Sequence, residues 1–501
     1  MILRDLVKGV EIKEILGGDN LEISGITYNS EEVRDRFLFV AIRGEKADGH
    51  TYIGSAVKNG AGAILLEKVP ENSFGSVSIV RVPDTKSALA TISANYYRHP
   101  TKGLTLVGVT GTNGKTTVSY LLESIWEVEG KSSGVVGTIE YRYMGKKTPA
   151  PMTTPESLDL MKLLKDMKDS GTEYVVMEVS SHALDRKRVS ACHFDAAIFT
   201  NLTQDHLDYH VNMENYFEAK KRLFTEVLEA SEKRNKFAII NLDDAYGARI
   251  AKCSAGEVIS FSTKPGSAAV HAERATINEQ GIWADVNTPW GRIELHSKLF
   301  GIHNLSNILA ASATALSLGA SPSSVESGVS RIISVPGRLD RVENTKGINV
   351  LVDYAHTPDA LKNVLSAVRP LTPGSLILVF GCGGDRDPLK RPVMGRIGRE
   401  LSDVLIVTSD NPRTEPPDSI IDQIERGVFE AVDARKSYFR VTDRRQAIEK
   451  AIRIAQKGDT VLIAGKGHED YQILGTKKIH FDDKEVARGI LSEIDKEECL
   501  N

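Results

Sequence analysis

The chain has 501 residues, 41% of them hydrophobic, and a formal net charge of −4 at pH 7. That length predicts about three α/β domains, each able to bury a core of its own. The near-neutral charge leaves no general attraction to nucleic acid or to an anionic membrane, so acidic ligands must be met by locally placed Arg and Lys. The four cysteines, Cys192, Cys253, Cys382 and Cys499, are far apart and show no C-x-x-C spacing. This argues against a disulfide or zinc framework and predicts free thiols in a reducing cytoplasm. The N-terminus lacks a secretory apolar core and no stretch approaches a membrane span, so the expectation is a cytoplasmic protein with no membrane association.

Residues 1–100 alternate short strands and helices, with a strand over 37–42, a helix over 52–60 and a strand over 63–66. A Pro and a Gly within 96–103 set the first boundary. The second unit, 101–335, opens with the apolar run Leu104–Val107, then Gly108-Val-Thr-Gly111-Thr-Asn-Gly114-Lys115-Thr116-Thr117, then an amphipathic stretch from Val118 to Trp126. This is strand, glycine loop, helix. Backbone N–H groups of Gly111, Thr112, Asn113, Gly114 and the first helical turn can surround a polyphosphate there, Lys115 can neutralise its β/γ charge, and Thr116 can offer its hydroxyl to Mg²⁺. The loop departs from G-x-x-x-x-G-K-[ST], because Val109 stands five positions before Gly114. Strands are expected over 174–179, 196–201 and 237–241, and a helix from about Leu305 to Leu318.

Residues 336–501 alternate regularly: strand 350–353, helix 360–368, strands 376–380 and 404–407, helix 420–432, strand 438–441, helix 446–456, strand 460–464. That pattern predicts a doubly wound, mainly parallel sheet, Rossmann-like in outline. Its polar clusters all follow strand ends, where ligands of open α/β sheets bind. A dinucleotide fingerprint is not completed, since Arg386 occupies the third glycine position after Gly381.

The wording T-G-T-N-G-K-T-T resembles the Mur ligase family, ATP-dependent enzymes that add amino acids to the UDP-linked peptide precursor of the bacterial cell wall. Further segments from Ser30 to Glu469 carry the same resemblance. It implies ATP and Mg²⁺ as cofactors and a monomeric enzyme whose N-terminal domain binds the UDP-substrate, whose central domain binds ATP and whose C-terminal domain binds the amino acid. Glu178, at a strand end, and His206, in Asn201-Leu-Thr-Gln-Asp-His206, are suitable Mg²⁺ ligands beside the loop; each alone would read as structural. Lys220 matches the family's carbamylated lysine, a further metal ligand. Sequence alone would instead place Lys220, beside Lys221 and Arg222, on a solvated helix face. His182 and His210 are less telling, and His210 is read as orientation or packing.

The resemblance also assigns Ser30, Thr153, Thr154, Ser180, Arg186 and Arg188 to the UDP-substrate, whose phosphates and carboxylates suit hydroxyls and guanidinium groups. Met152 and Arg186 depart from residues common in the family, Asn and Gln. Asn304, Arg338, Asp353 and His356 match its ATP contacts, although Asn304 in isolation would read as a helix N-cap. Family members with Asp410-Asn411-Pro412-Arg413 in this loop usually add meso-diaminopimelate to UDP-N-acetylmuramoyl-L-alanyl-D-glutamate. The chemistry agrees, because the second carboxylate of diaminopimelate suits a planar guanidinium, where lysine would place an ammonium. Arg386 can hold a carboxylate, and Glu469 with the Gly465 carbonyl can accept from the far ammonium. A lysine-adding relative, a folate polyglutamylating enzyme and a nucleotide-binding module without catalysis remain as alternatives.

Overall fold

The computed structural model describes residues 1–44, 47–69, 77–278, 280–431 and 436–500; among them the strands form three large sheets and a two-stranded ribbon. The first sheet runs in the order Glu14–Leu16, Ser78–Arg81, Ala61–Leu66, Phe37–Val40, Gly25–Thr27, parallel except at its Glu14–Leu16 edge. Helix Thr85–Tyr96 packs Leu89 and Ile92 onto it and is capped by Asp84, whose carboxylate accepts from the backbone of Lys86 and Ser87.

The second sheet has eleven strands. Its parallel middle places Thr105–Thr110 between Tyr174–Glu178 and Ala196–Phe199, so the glycine loop, Glu178 and the segment leading to His206 all leave the same edge. These strands are apolar almost throughout because helices cover both faces. Helices Lys115–Val128 and Ile302–Ser317 lie on one face, and Ser157–Asp169 and Met213–Arg222 on the other. Antiparallel strands extend both edges, Glu140–Tyr143 and Lys146–Pro149 at one and Val270–Asn278, Gly281–Thr288 and Gly291–Ser297 at the other, and neither extension is among the expected elements. Helix Ile302–Ser317 begins before the expected Leu305 and is buried nearly all round, which removes the periodicity that would mark its start. Its N-cap is Gly301, at φ 90°, so the N-cap reading of Asn304 is overturned: Asn304 lies in the first turn, its Nδ2 donating to the Phe300 carbonyl at 2.9 Å.

The third sheet confirms the doubly wound expectation. Its order is Asp340–Val342, Asn349–Asp353, Thr460–Ala464, Leu376–Phe380, Val404–Val407, Ser437–Arg440, parallel except at the first pair. Helices Pro358–Val368, Lys390–Leu401 and Pro417–Glu430 cover one face, Arg444–Ile454 and Asp483–Leu500 the other. The last strand in sequence inserts beside the first parallel one, so residues 465–469 emerge between Asp353 and Gly381. Val432, the expected end of the third of these helices, and the Cys499 thiol lie outside the described residues. Cys192, Cys253 and Cys382 are free thiols. Among the described residues no helix is long and apolar enough to cross a membrane.

Candidate active site at the interdomain cleft

The glycine loop is shaped by two positions that only glycine fills. Gly111 (φ 149°) and Gly114 (φ 90°) lie so close to Thr200 Oγ1 and Asn307 Oδ1 that a Cβ would meet them at 1.9 and 2.3 Å. Gly114 is also the N-cap of helix Lys115–Val128, with no side chain capping the first turn. A helix N-terminus left open in this way is an anion site. Asn201 holds the loop through its carbonyl to Thr112 N and its Oδ1 to Asn113 N, both at 2.9 Å.

Two lysine amines converge on one carbonyl. Lys115 Nζ donates to Gly111 O (2.9 Å) and Thr112 O (2.8 Å), and Lys220 Nζ donates to the same Gly111 O at 2.8 Å. Lys220 is 2% exposed, which overturns the solvated-face reading. Burial, and then the neighbouring Lys115, hold the Lys220 ammonium well below its ordinary pKa. The neighbours Lys221 and Arg222 pointed to solvent, whereas Tyr216, one turn before Lys220, shares its buried helix face.

Thr116 Oγ1 donates to Glu178 Oε1 at 3.0 Å, and the same carboxylate accepts from Thr138 N (3.0 Å) and Thr138 Oγ1 (2.8 Å). His206 stands apart from this pair, at φ 54°, next to Asp205 (Nε2 to Oδ2 3.4 Å) and edge-on to His182. Burial, with His182 and Lys220 behind it, pushes its pKa down to about 3, against the opposing pull of Asp205. His210 is buried and its Nε2 lies 2.9 Å from Ser181 Oγ, a packing position. Among the described residues no three His, Cys, Asp or Glu side chains gather as a metal set.

Across the cleft, Arg338 Nη2 donates to Thr116 Oγ1 (3.3 Å) and its guanidinium stacks on Tyr354. Asp353 is buried, accepting from Leu339 N (2.7 Å) and Ala355 N (2.8 Å), so it shapes the turn that carries Arg338 and His356. His356 Nε2 lies 3.8 Å from Asp205 Oδ2. Asn113, Gly114, Thr117, Asn304, Arg338 and Asp353 line one cavity of about 120 Å³.

Of the residues assigned to the UDP-substrate, Thr153, Ser180 and Arg188 gather around Thr154, while Arg186 and Ser30 make other contacts. Thr154 Oγ1 donates to Glu178 O (2.8 Å) and accepts from Ser180 N (3.1 Å), Arg188 Nη1 donates to the Thr154 carbonyl (3.1 Å), and Thr153 Oγ1 lies 3.1 Å from Thr138 Oγ1. Arg186 lies over the Tyr209 ring, and Met152 is an exposed side chain. Ser30 sits in the first domain, in the turn Ser30–Glu32 after Tyr28, whose hydroxyl donates to Asp159 Oδ2 of the second domain at 2.5 Å.

In the third domain, Asn411 Nδ2 donates to Glu469 Oε2 at 2.7 Å, and Lys466 Nζ reaches Glu469 Oε2 (3.3 Å) and Asn411 Oδ1 (3.4 Å). Burial and Asp410 push the Glu469 carboxyl above its ordinary range. Gly465, at φ 115°, leaves room for Asp410: a Cβ there would come 2.7 Å from Asp410 Oδ2. Arg413, at φ 51°, donates from Nη1 to Gly384 O at 2.8 Å; burial and the nearby Arg386 lower its pKa. Pro412 packs its carbonyl onto Gly384. Asp410 and Glu469 both act electrostatically on Arg413, so the guanidinium groups and the carboxylates form one cluster around Asn411.

Residues 22–97 match the description "Mur ligase family, catalytic domain", residues 109–315 "Mur ligase middle domain" and residues 337–467 "Mur ligase, glutamate ligase domain". The chain belongs to the Mur ligase family. A relative from Geobacter metallireducens named UDP-N-acetylmuramoyl-L-alanyl-D-glutamate--2,6-diaminopimelate ligase is 48% identical, covering 99% of each chain. A solved structure of a ligase of that name is 30% identical with a TM-score of 0.69, covering 99% of each chain. MurF ligase from Thermotoga maritima in complex with ADP shares the fold, at 22% identity and a TM-score of 0.63 over 94% of this chain and 98% of that one.

Sequence reasoning passed over four residues that this ligase places at the cleft. Lys390 Nζ lies 3.9 Å from Asp205 Oδ1, and Asn113 Nδ2 donates to Asp359 Oδ2 at 3.2 Å, both across domains. Lys466, with no side-chain exposure, neutralises Asp410 and Glu469. Asp205 directly precedes His206 and Lys466 lies between Gly465 and Glu469, so a rule asking for the counter-charge of each predicted ionic residue would have found them.

Proposed function

We propose that this Mur ligase uses ATP to add meso-diaminopimelate to UDP-N-acetylmuramoyl-L-alanyl-D-glutamate. The observation that carries the amino-acid choice is that Arg413 and Arg386 flank Gly383 while Asn411 joins Arg413 to Lys466 and Glu469. Diaminopimelate offers two carboxylates and two ammonium groups to such a pocket; lysine offers an ammonium where Arg413 stands.

The free glutamyl carboxylate attacks the γ-phosphorus of ATP, giving an acyl phosphate and ADP. The amine of diaminopimelate then adds to the acyl carbon, loses a proton and expels phosphate to leave the amide. Lys115 turns from the Gly111 and Thr112 carbonyls to the β/γ-phosphates, and Arg338 adds charge from the other domain. Thr116 and Glu178 offer the hard oxygen donors that suit Mg²⁺, and neutral His206 keeps a free nitrogen, so the donor chemistry fits that ion. Bound there, Mg²⁺ supplies charge neutralisation for the phosphates. The depressed Lys220 amine is the form that adds to CO₂, releasing a proton and gaining a carbamate oxyanion that serves as a further ligand.

The test is phosphate release with ATP, Mg²⁺, the UDP-dipeptide and a panel of amino acids, for the wild type and Arg413→Ala. Diaminopimelate should drive turnover. Arg413→Ala should raise its KM by roughly 30-fold or more, the loss of a bidentate pair on the order of 2–4 kcal/mol, with the KM for ATP little changed. A wild type that prefers lysine would end the assignment.

A further inference from the structure

We propose that the buried ion pair Arg444–Asp483 positions the two loops that take the amino-acid substrate, and thereby tunes its recognition; this rests on the amino-acid pocket assigned above. Arg444 opens helix Arg444–Ile454 and Asp483 opens helix Asp483–Leu500. Neither side chain has any exposure. The contact is bidentate, with Nε to Oδ1 and Nη2 to Oδ2 both at 2.7 Å. Burying two charges costs desolvation that apolar side chains of similar volume would avoid, so stability alone gives no reason for this pair.

What the pair adds is a clamp on two backbone carbonyls. Arg444 Nη2 donates to Ala464 O at 3.1 Å and Nη1 to Ser409 O at 3.4 Å. Ala464 is the last residue before Gly465, Lys466 and Glu469; Ser409 is the last before Asp410, Asn411 and Arg413. The strands that end there, Thr460–Ala464 and Val404–Val407, are not neighbours, since Leu376–Phe380 lies between them. Their register is set only through that middle strand, where Ala464 pairs with Phe380 and Phe380 with Val407, and the loops beyond those pairs need a direct link. One guanidinium spans them, and the intervening strand gives way to Gly381, where a Cβ would meet Thr408 O at 2.3 Å.

Asp483 ties in a third segment. It follows the ribbon Tyr471–Leu474 and Lys477–His480, which grips the Asp410–Arg413 loop: Gln472 Nε2 donates to Asp410 O (2.6 Å), Ile473 N to Asn411 Oδ1 (2.9 Å) and Arg413 N to Ile473 O (3.1 Å). A lysine at 444 would supply a point charge and could not hold the carboxylate and both carbonyls in one plane. Arg444 is therefore a positioning residue that acts through the loops.

Two variants test this. In Arg444→Lys the KM for the amino acid should rise about 10-fold, as expected for the loss of one or two buried hydrogen bonds, while the KM values for ATP and the UDP-dipeptide stay within about 2-fold. The double variant Arg444→Met with Asp483→Leu leaves no buried charge; it should keep the wild-type melting temperature and still show the raised amino-acid KM and a weaker preference between diaminopimelate and lysine. A double variant with wild-type amino-acid KM, a rise shared equally by ATP, or a failure of both variants to fold would each assign the pair to stability alone and overturn the proposal. The measurement uses whichever amino acid the wild type accepts. A wild type that rejects diaminopimelate would therefore remove the substrate reading and leave this test standing.

Discussion

Lys220 is the residue whose chemistry depends most on its surroundings. Its amine shares the Gly111 carbonyl with Lys115, lies 4.7 Å from the centre of the Tyr216 ring and is cut off from water. Burial and a like charge both favour the neutral amine, which is the nucleophile that carbamate formation needs. Lys220→Ala is expected to fold, because alanine leaves no charge to bury, and to lose nearly all phosphate release. Added short-chain carboxylates should restore part of the activity by standing in for the carbamate oxyanion. The readout is steady-state turnover with and without acetate; a fully active Lys220→Ala enzyme would rule out the carbamate role.

At the scale of elements, the Asp410–Arg413 loop and the glycines after Leu376–Phe380 are fitted to each other. A Cβ on Gly384 would come 1.9 Å from Pro412 O, and one on Gly383 would come 3.0 Å from Arg413 Nη1. Gly384→Ala should push the loop away and destabilise the third domain by about 1–3 kcal/mol, the usual range for overpacking. The glycine loop around Lys115 lies on another sheet, so the expected signature is a raised diaminopimelate KM and a lower melting temperature with little change in the KM for ATP. An equal rise in both KM values would show that the two sites are not separable in this way.

For the whole molecule, charge complementarity closes the cleft. Asp205 of the second domain is 7% exposed and faces His356 and Lys390 of the third. Burial would raise its carboxyl, yet His206, His356 and Lys390 outweigh it and hold the group well below the usual carboxylate range. The cavity of about 120 Å³ is smaller than the roughly 300–1,000 Å³ of ligand pockets, so the expectation is that the domains part for a nucleotide to enter. Lys390→Met should weaken closure, giving a larger radius of gyration by small-angle scattering and roughly 10-fold slower turnover if about 1.4 kcal/mol of closure energy is lost. Unchanged scattering and turnover would remove Asp205–Lys390 as a latch.

The sequence by itself determined the α/β class, the mainly parallel sheet of the third domain and the family, because these rest on local patterns: apolar runs of strand length, glycines where a loop turns, and a cation beside them. It also located the Asp410–Arg413 loop after a strand end. Only the tertiary structure decided what those residues touch. Lys220 reads as exposed by its neighbours, yet the sheet edge buries it; Asn304 reads as a cap, yet Gly301 takes that place; and Thr460–Ala464, last among the strands of its sheet in the chain, inserts near its middle. Lys390, Asp359 and Arg444 carried no local signal, since their partners lie 185, 246 and 39 positions away. Periodicity records which face an element buries, while the pairing of charges across domains depends on how separately folded layers meet.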